Sequence, residues 1–275
     1  IKKSYFENNK DRIDDFINKN GQINEQQIFE KNDFKYLRSI NGSSSSNIEL
    51  FYHITSEKIF VVKTIFGNEA QKLQNREIEN YSNLNFPFLS KFYGQFENDN
   101  GKSLVIEFID GQTINDLLKN RICLNQKFKI IFEILLIFQY LHNYNFIYRD
   151  LKPNNLMIDQ NNRIVLIDFD RMIKSGTVFT NNEFTADFGS PFIDYEIENA
   201  PPSFRNDIYS IGKMIYYIFI GKSQFEKESE NSSDLKIFKE KYPKIYDIYL
   251  KCINENRRGI RIYIYVFGFD IYFCG

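Results

Sequence analysis

Two stretches of this chain are apolar on nearly every face over the length of a helix, Phe128–His142 and Asp207–Ile220. A helix that is apolar all round has no side to give to water, so it must lie inside a large domain. With 275 residues, 43% of them hydrophobic, the chain can build such an interior. At about 150 residues per domain, the length predicts two lobes or one large domain. A membrane span is not expected. No uncharged run reaches the ~18 residues that a bilayer requires, and Lys129 and Glu133 interrupt Phe128–Leu141.

Charge narrows the partners. The formal net charge is -1, which disfavours nucleic-acid binding by phosphate neutralisation and excludes a highly charged disordered polymer. The three cysteines, Cys123, Cys252 and Cys274, are widely spaced and form no CxxC. A disulfide framework or structural zinc site is not expected, and a reducing, cytoplasmic setting is. With only His53 and His142, neither is a multi-histidine metal centre. No signal peptide opens the chain, and its start at Ile1, without Met, is read as a clipped or incomplete N-terminus.

The texture changes along the chain. Residues 1–33 are polar and read as an N-terminal extension, a surface helix or loose tail. From Phe34, strand-length segments follow at Ile48–Ile54, Lys58–Ile65 and Ser103–Phe108, rich in β-branched and aromatic residues. One helix, about Asn68 to Leu84, sits among them. Asp99-Asn100-Gly101 reads as a hairpin turn. After Gly111 the pattern turns helical. The residues therefore predict a strand-rich unit with one helix, followed by a larger helical unit.

The chemistry concentrates in Tyr148-Arg149-Asp150-Leu151-Lys152-Pro153-Asn154-Asn155 and in Asp168-Phe169-Asp170, which follows the apolar run Ile164–Ile167. Upstream, Val61-Val62-Lys63 lies in a strand and Glu77 in the lone helix. A lysine held by a glutamate is a fixed cation for phosphates. An Asn on a loop and an Asp after a strand can hold Mg²⁺ through oxygen. A further Asp is left to orient a hydroxyl. Positioning and charge neutralisation are nearly all that phosphoryl transfer requires.

In these motifs the chain resembles the eukaryotic protein kinase family from about Phe34 to Arg258. The catalytic-loop pattern HRDLKxxN falls on Tyr148 to Asn155, DFG on Asp168-Phe169-Asp170, and APE on Asp194-Tyr195-Glu196. DxWSxG falls on Asp207 to Gly212, and Asn85-Phe86-Pro87-Phe88-Leu89 matches the segment after the family's N-lobe helix. The resemblance implies an α+β, bilobal protein-kinase-like fold over residues 34–258. It comprises a small β-rich N-lobe with one main helix (34–109) and a larger α-helical C-lobe (110–258), expected to be truncated. An atypical apolar tail, 259–275, follows.

The roles implied are these. Lys63 holds the ATP phosphates and pairs with Glu77. Asp150 accepts the proton of the substrate hydroxyl and Lys152 neutralises the transferred phosphoryl group. Asn155 and Asp168 bind Mg²⁺. Ile40, Ile48, Val61 and Met157 enclose the nucleotide with Lys63, Ile106 is the gatekeeper, and the backbones of Glu107 and Ile109 hydrogen-bond the adenine. Ser190 bridges Asp150 and Lys152. Phosphorylation of Thr185 would pair with Arg149 and order the activation segment, although Thr177 and Thr180 lie on the same loop. The Lys152-Pro153 pair is similar to serine/threonine kinases.

The chain also departs from the family. The glycine-rich loop falls on Asn41-Gly42-Ser43-Ser44-Ser45-Ser46, without the three expected glycines. Asn and Ser replace them at a cost on the order of 1–3 kcal/mol. Asp170 stands for the DFG glycine, which restricts the hinge and adds a third carboxylate. Tyr148 stands for the HRD histidine, so Tyr81, Phe92, Tyr148 and Phe169 are expected to form an aromatic stack. Beyond Lys251-Cys252-Ile253 the family's last helices are missing, and Arg257, Arg258 and Arg261 are the candidate partners of Glu196.

Blander readings stand beside these. Lys63 could be a surface lysine, and Asp150 and Asp168 turn residues. His142 reads as structural and Cys123 as a small apolar residue. Gly101-Lys102-Ser103 and Gly221-Lys222-Ser223 lack the preceding glycine of a phosphate loop, and Phe16 to Gln27 lacks the terminal carboxylates of a calcium loop. Three functions follow: an active Ser/Thr protein kinase using ATP and Mg²⁺ on an unnamed protein substrate, a pseudokinase acting as a binding or scaffolding module, and a small-molecule kinase of related fold. The Lys-Pro catalytic loop and the segment Asp168–Glu196 argue against the third.

Overall fold

The computed structural model describes residues 27–28, 30–43, 46–67, 70–98, 101–177, 202–221, 233–253, 261–264 and 271–274. The strands are β1 (Gln27–Ile28), β2 (Phe34–Ser43), β3 (Ser46–His53), β4 (Lys58–Ile65), β5 (Phe92–Asn98), β6 (Gly101–Glu107), β7 (Gly111–Thr113), β8 (Phe146–Ile147), β9 (Leu156–Asp159), β10 (Ile164–Leu166), β11 (Ile173–Lys174), β12 (Arg261–Ile264) and β13 (Ile271–Cys274). The helices are α1 (Ala70–Asn83), α2 (Ile114–Leu117), α3 (Leu124–Asn143), α4 (Phe204–Ile220), α5 (Ser233–Lys241) and α6 (Pro243–Ile253). A β-sheet region thus precedes a helical one in a mixed α+β chain, as in a bilobal kinase fold. The described residues divide into two compact units, one made of those up to Gly111 together with Val165–Met172, the other of Gln112–Ile164 and those from Ile173 onward.

The first unit is a six-stranded sheet in the order β1-β5-β6-β4-β3-β2. Its main pairs are antiparallel. Side chains alternate across the pleat, which sends Phe60 and Val62 of β4 into an apolar cluster with Phe34, Phe96 and Val105. Phe34 stacks on Phe96 with ring centroids 5.3 Å apart. β5 and β6 pair with Asn98 opposite Gly101, the register the predicted turn requires. The N-terminal extension contributes a strand here: Gln27–Ile28 runs parallel to β5, where a helix or loose tail was expected. α1 is fixed to the sheet by Gln74, whose Nε2 donates to the carbonyls of Lys102 (2.5 Å) and Ile65 (3.5 Å).

The second unit is built on α3 and α4, the two apolar segments of the sequence. Ile134, Ile137, Phe138 and Leu141 of α3 are fully buried, as are Ile211, Met214 and Ile215 of α4. α4 begins where the Ser203 N–H donates to Asn206 Oδ1 (2.9 Å) and ends at Gly221, whose φ of 82° is the left-handed conformation that stops a helix. The charges that interrupt α3 are absorbed. Glu133 pairs with Lys129 at 2.7 Å and accepts the Ile164 N–H at 2.8 Å. Tyr216, Phe238, Tyr246 and Tyr249 pack α4, α5 and α6 together through ring contacts. The apolar tail forms an antiparallel pair, β12 with β13, and β12 lies beside α3. Among the described residues, no helix is long and apolar enough to cross a membrane. Cys123 is exposed and Cys252 is buried.

Candidate active site

In the first unit the chemistry gathers on Lys63. Strand β4 places it opposite Leu104 of β6 and Ile48 of β3, and it is only 5% exposed. A buried ammonium must be paired, and three carboxylates pair this one. Nζ lies 3.0 Å from Glu77 Oε2, 2.6 Å from Asp168 Oδ1 and 3.3 Å from Asp170 Oδ2. Burial alone would depress the Lys63 pKa, but the charges of Glu77, Asp168 and Asp170 outweigh it and hold the ammonium well above the ordinary lysine range. Glu77 is fully buried. Burial, opposed by Lys63 and reinforced by Asp168 and Asp170, pushes its carboxyl up to about 7.

The acidic segment is held in place from α1. Asn80 Nδ2 donates to the carbonyls of Phe169 and Met172, both at 2.8 Å. Asp168 has a φ of 68°, a conformation that costs a non-glycine residue roughly 1–3 kcal/mol unless its surroundings enforce it. Here Asn80 on one side and the Lys63 ion pair on the other do so. Tyr81 lies 4.7 Å from Phe169 and 5.5 Å from Phe92, ring centre to ring centre. Its hydroxyl is 3.1 Å from Ser90 Oγ. Upstream, Leu166 donates to the Phe88 carbonyl and accepts from Ser90 N–H. Tyr148, the fourth member of the expected aromatic stack, belongs to the other unit and meets Phe138 edge-on at 5.9 Å.

The expected nucleotide-lining residues of this unit divide. Val61 pairs with Ile106 across β4 and β6, Ile48 is half-buried, and Ile106 and Ile109 are buried. The Glu107 N–H donates to the Lys91 carbonyl at 2.8 Å, and Glu107 Oε2 accepts the Lys91 N–H at 3.0 Å. Ile40 is different: it is 44% exposed at a bulge where β2 advances from Ser39 to Asn41 while β3 advances only from Glu49 to Ile48. Met157 is half-buried on β9 of the other unit.

In the second unit Asp150 is the centre. It is 3% exposed, and its Oδ2 accepts from Lys152 Nζ (2.9 Å) and Asn155 Nδ2 (2.7 Å). Asn155 also donates to the Asp150 carbonyl at 2.9 Å. This loop stands on a residue to which the sequence reading gave no role of its own, Asp207. Its carboxylate receives the backbone N–H of Tyr148 (2.9 Å) and of Arg149 (2.8 Å) and faces His142 Nε2 at 2.9 Å. Arg149 has a φ of 71°, so Asp207 stabilises a strained turn immediately before Asp150. His142 is structural, as expected. Thr185, Ser190, Glu196, Arg257 and Arg258 lie outside the described residues, so no geometry bears on the expectations placed on them.

The chain is similar to known proteins over much of its length. The model of the protein kinase domain matches residues 34–260. The chain is similar to an Aurora kinase of Debaryomyces hansenii, 29% identical over 194 residues, covering 68% of this chain and 46% of that protein. It is similar to the cAMP-dependent protein kinase type 3 of Saccharomyces cerevisiae, 26% identical over 217 residues, covering 75% of this chain and 52% of that protein. A third relative is the serine/threonine-protein kinase RUNKEL of Arabidopsis thaliana, 28% identical over 172 residues, covering 60% of this chain and 12% of that protein. The chain spans about half the length of the first two.

Proposed function

This chain belongs to the protein kinase domain family, and on that premise we propose that it transfers the γ-phosphoryl group of Mg-ATP to a serine or threonine hydroxyl of a protein. The observation that carries the reading is the buried Lys63 ammonium, placed on Glu77 at 3.0 Å and on Asp168 at 2.6 Å. A lysine held in this way is pre-positioned for phosphate, and its side-chain freedom is already lost before a nucleotide arrives.

The residues fit the groups that the family generally uses. Magnesium takes hard oxygen ligands. Asp168 offers a carboxylate, and Asn155 commits its amide nitrogen to Asp150, so its Oδ1 is the atom left for a cation. Bound Mg-ATP supplies the phosphoryl group and a neutralising charge. The remaining work falls to the chain. Lys63 binds phosphate oxygens. Lys152, already on Asp150, offsets negative charge on the transferred phosphoryl group, and Asp150 takes the hydroxyl proton on its carboxylate. By resemblance to the family, Ile48, Val61, Ile106 and Met157 are the residues assigned to the base, with the Glu107 and Ile109 backbones assigned as its polar contacts. Phosphorylation at Thr185 activates the enzyme through Arg149. The serine/threonine preference is supported by Lys152-Pro153, and the cytoplasmic setting by three widely spaced cysteines without a CxxC.

The test is transfer of label from Mg-ATP to the chain and to a generic basic protein, with Asp150→Asn in parallel. Transfer by the parent alone is the expected result. Equal transfer by the variant would sink the assignment. One observation favours a second reading, a binding module without transfer: Asp170 also holds Lys63, at 3.3 Å. In that case a well-folded parent shows no transfer.

A further inference from the structure

The kinase reading leaves Asp170 unused. Its carboxylate lies 3.3 Å from Lys63 Nζ and is about a quarter exposed, at 23%. Glu77, Asp168 and Asp170 bring ligand oxygens within 4.8 Å of one another. One ammonium therefore answers three carboxylates, where a glycine in place of Asp170 would leave two. Asn80 holds the backbone on either side of Asp170, at Phe169 and Met172, so the extra charge cannot simply swing away with its segment.

A triphosphate that reaches Lys63 must share it with Asp170. Charges a few ångströms apart near a protein surface interact strongly enough to change an affinity by about tenfold or more. A metal-free triphosphate adds only negative charge to this site. A metal-bound one carries the compensating cation with it. We propose that Asp170 is a specificity-determining residue that makes nucleotide binding conditional on a divalent cation, by competing with phosphate for Lys63 unless a metal offsets its charge. The inference rests on the reading of this site as a nucleotide site.

The experiment measures binding of a fluorescent ATP analogue to the full chain, in excess Mg²⁺ and in excess EDTA, for the parent, Asp170→Asn and Asp170→Ser. Both substitutions remove the charge, and one keeps the volume. Thermal melting selects the variant that retains the parental fold. The expected result is that charge removal tightens metal-free binding by about tenfold or more while Mg²⁺-bound affinity moves by less than about threefold. Binding in every protein with an unchanged ratio between the two conditions overturns this inference and leaves the kinase reading standing. Improvement in Asp170→Ser alone, with both variants folded, assigns the effect to bulk and also overturns it. No binding to any folded protein in either condition overturns both.

Discussion

Asp207 Oδ2 lies 2.9 Å from His142 Nε2 while the same carboxylate receives the backbone N–H groups of Tyr148 and Arg149. A fully buried charge is thereby satisfied by three donors. The ring nitrogen facing it must carry its proton. This carboxylate fixes the loop that carries Asp150, although Asp207 is 57 positions later in the chain.

Replacing Asp207 by Asn leaves one acceptor oxygen where two received three donors. We expect a loss of roughly 2–4 kcal/mol, read as a lower urea midpoint with an unchanged slope. Phosphoryl transfer should fall as well, because Arg149 loses the contact that enforces its left-handed turn. Unaltered stability would show that the loop is held from elsewhere.

Glu77 predicts a pH dependence. Its carboxyl titrates near 7 in the folded chain against an ordinary value of 4.5. Between those pH values the folded state holds one more proton than the unfolded, so this group's contribution to stability falls as pH rises, by at most roughly 3 kcal/mol. The charged partner of Lys63 forms over the same interval, so transfer should climb through about pH 7 on its acid side. Glu77→Gln should flatten both profiles. Parallel melting curves for parent and variant from pH 5 to 8 would refute the assignment.

Asn80→Ala strips the Phe169 and Met172 carbonyls of a buried donor. The Phe169 carbonyl keeps the Met172 N–H at 3.3 Å, so the loss falls mainly on the Met172 carbonyl and costs about 1–3 kcal/mol, and the segment carrying Asp168 loosens. Nucleotide affinity should drop along with stability, by calorimetry and melting respectively. A fall in stability with full affinity would mean that the Lys63 ion pair positions Asp168 unaided.

Gly212 lies inside α4, and a Cβ there would come within 2.7 Å of Cys252 Cβ and 3.0 Å of Ile253 Cγ2 on α6. Alanine would gain about 1 kcal/mol in helix propensity but overpack the contact by roughly 1–3 kcal/mol. We expect net destabilisation of Gly212→Ala. Adding Cys252→Gly should give a double variant more stable than the sum of the two single effects. Simple additivity would place the strain elsewhere.

The residues of the candidate site stand out in the sequence because their chemistry is local. Lys63 in its strand, Asp168 after its apolar run and the Asp150–Asn155 loop are short motifs, and their spacing survives in any frame. Long helices were legible as helix-length apolar runs, and α3 and α4 bury most of them, although Phe132 of α3 is 40% exposed. What stayed hidden was pairing across distance. Nothing near Asp170 in sequence announces that its carboxylate meets Lys63, which is 107 positions away. Nothing near Asn80 announces the carbonyls of Phe169 and Met172. Gln27–Ile28 was illegible for another reason: a two-residue strand has no period to read, and only the edge of β5 makes it one.

The alternation along β4 has a final consequence. Val61 and Lys63 share one face of the strand, while Phe60, Val62 and Thr64 share the other, where the first two enter the apolar cluster and Thr64 Oγ1 meets Ser103 Oγ at 2.6 Å. The strand is therefore a reading frame of period two. A one-residue deletion in the turn before it, Ile54 to Glu57, would shift every position by half a period. It would drive the ammonium into the aromatic cluster and bring Val62 or Thr64 to the acidic pocket. A two-residue deletion would keep the frame. Length changes in that turn should therefore be tolerated in even steps and not in odd ones.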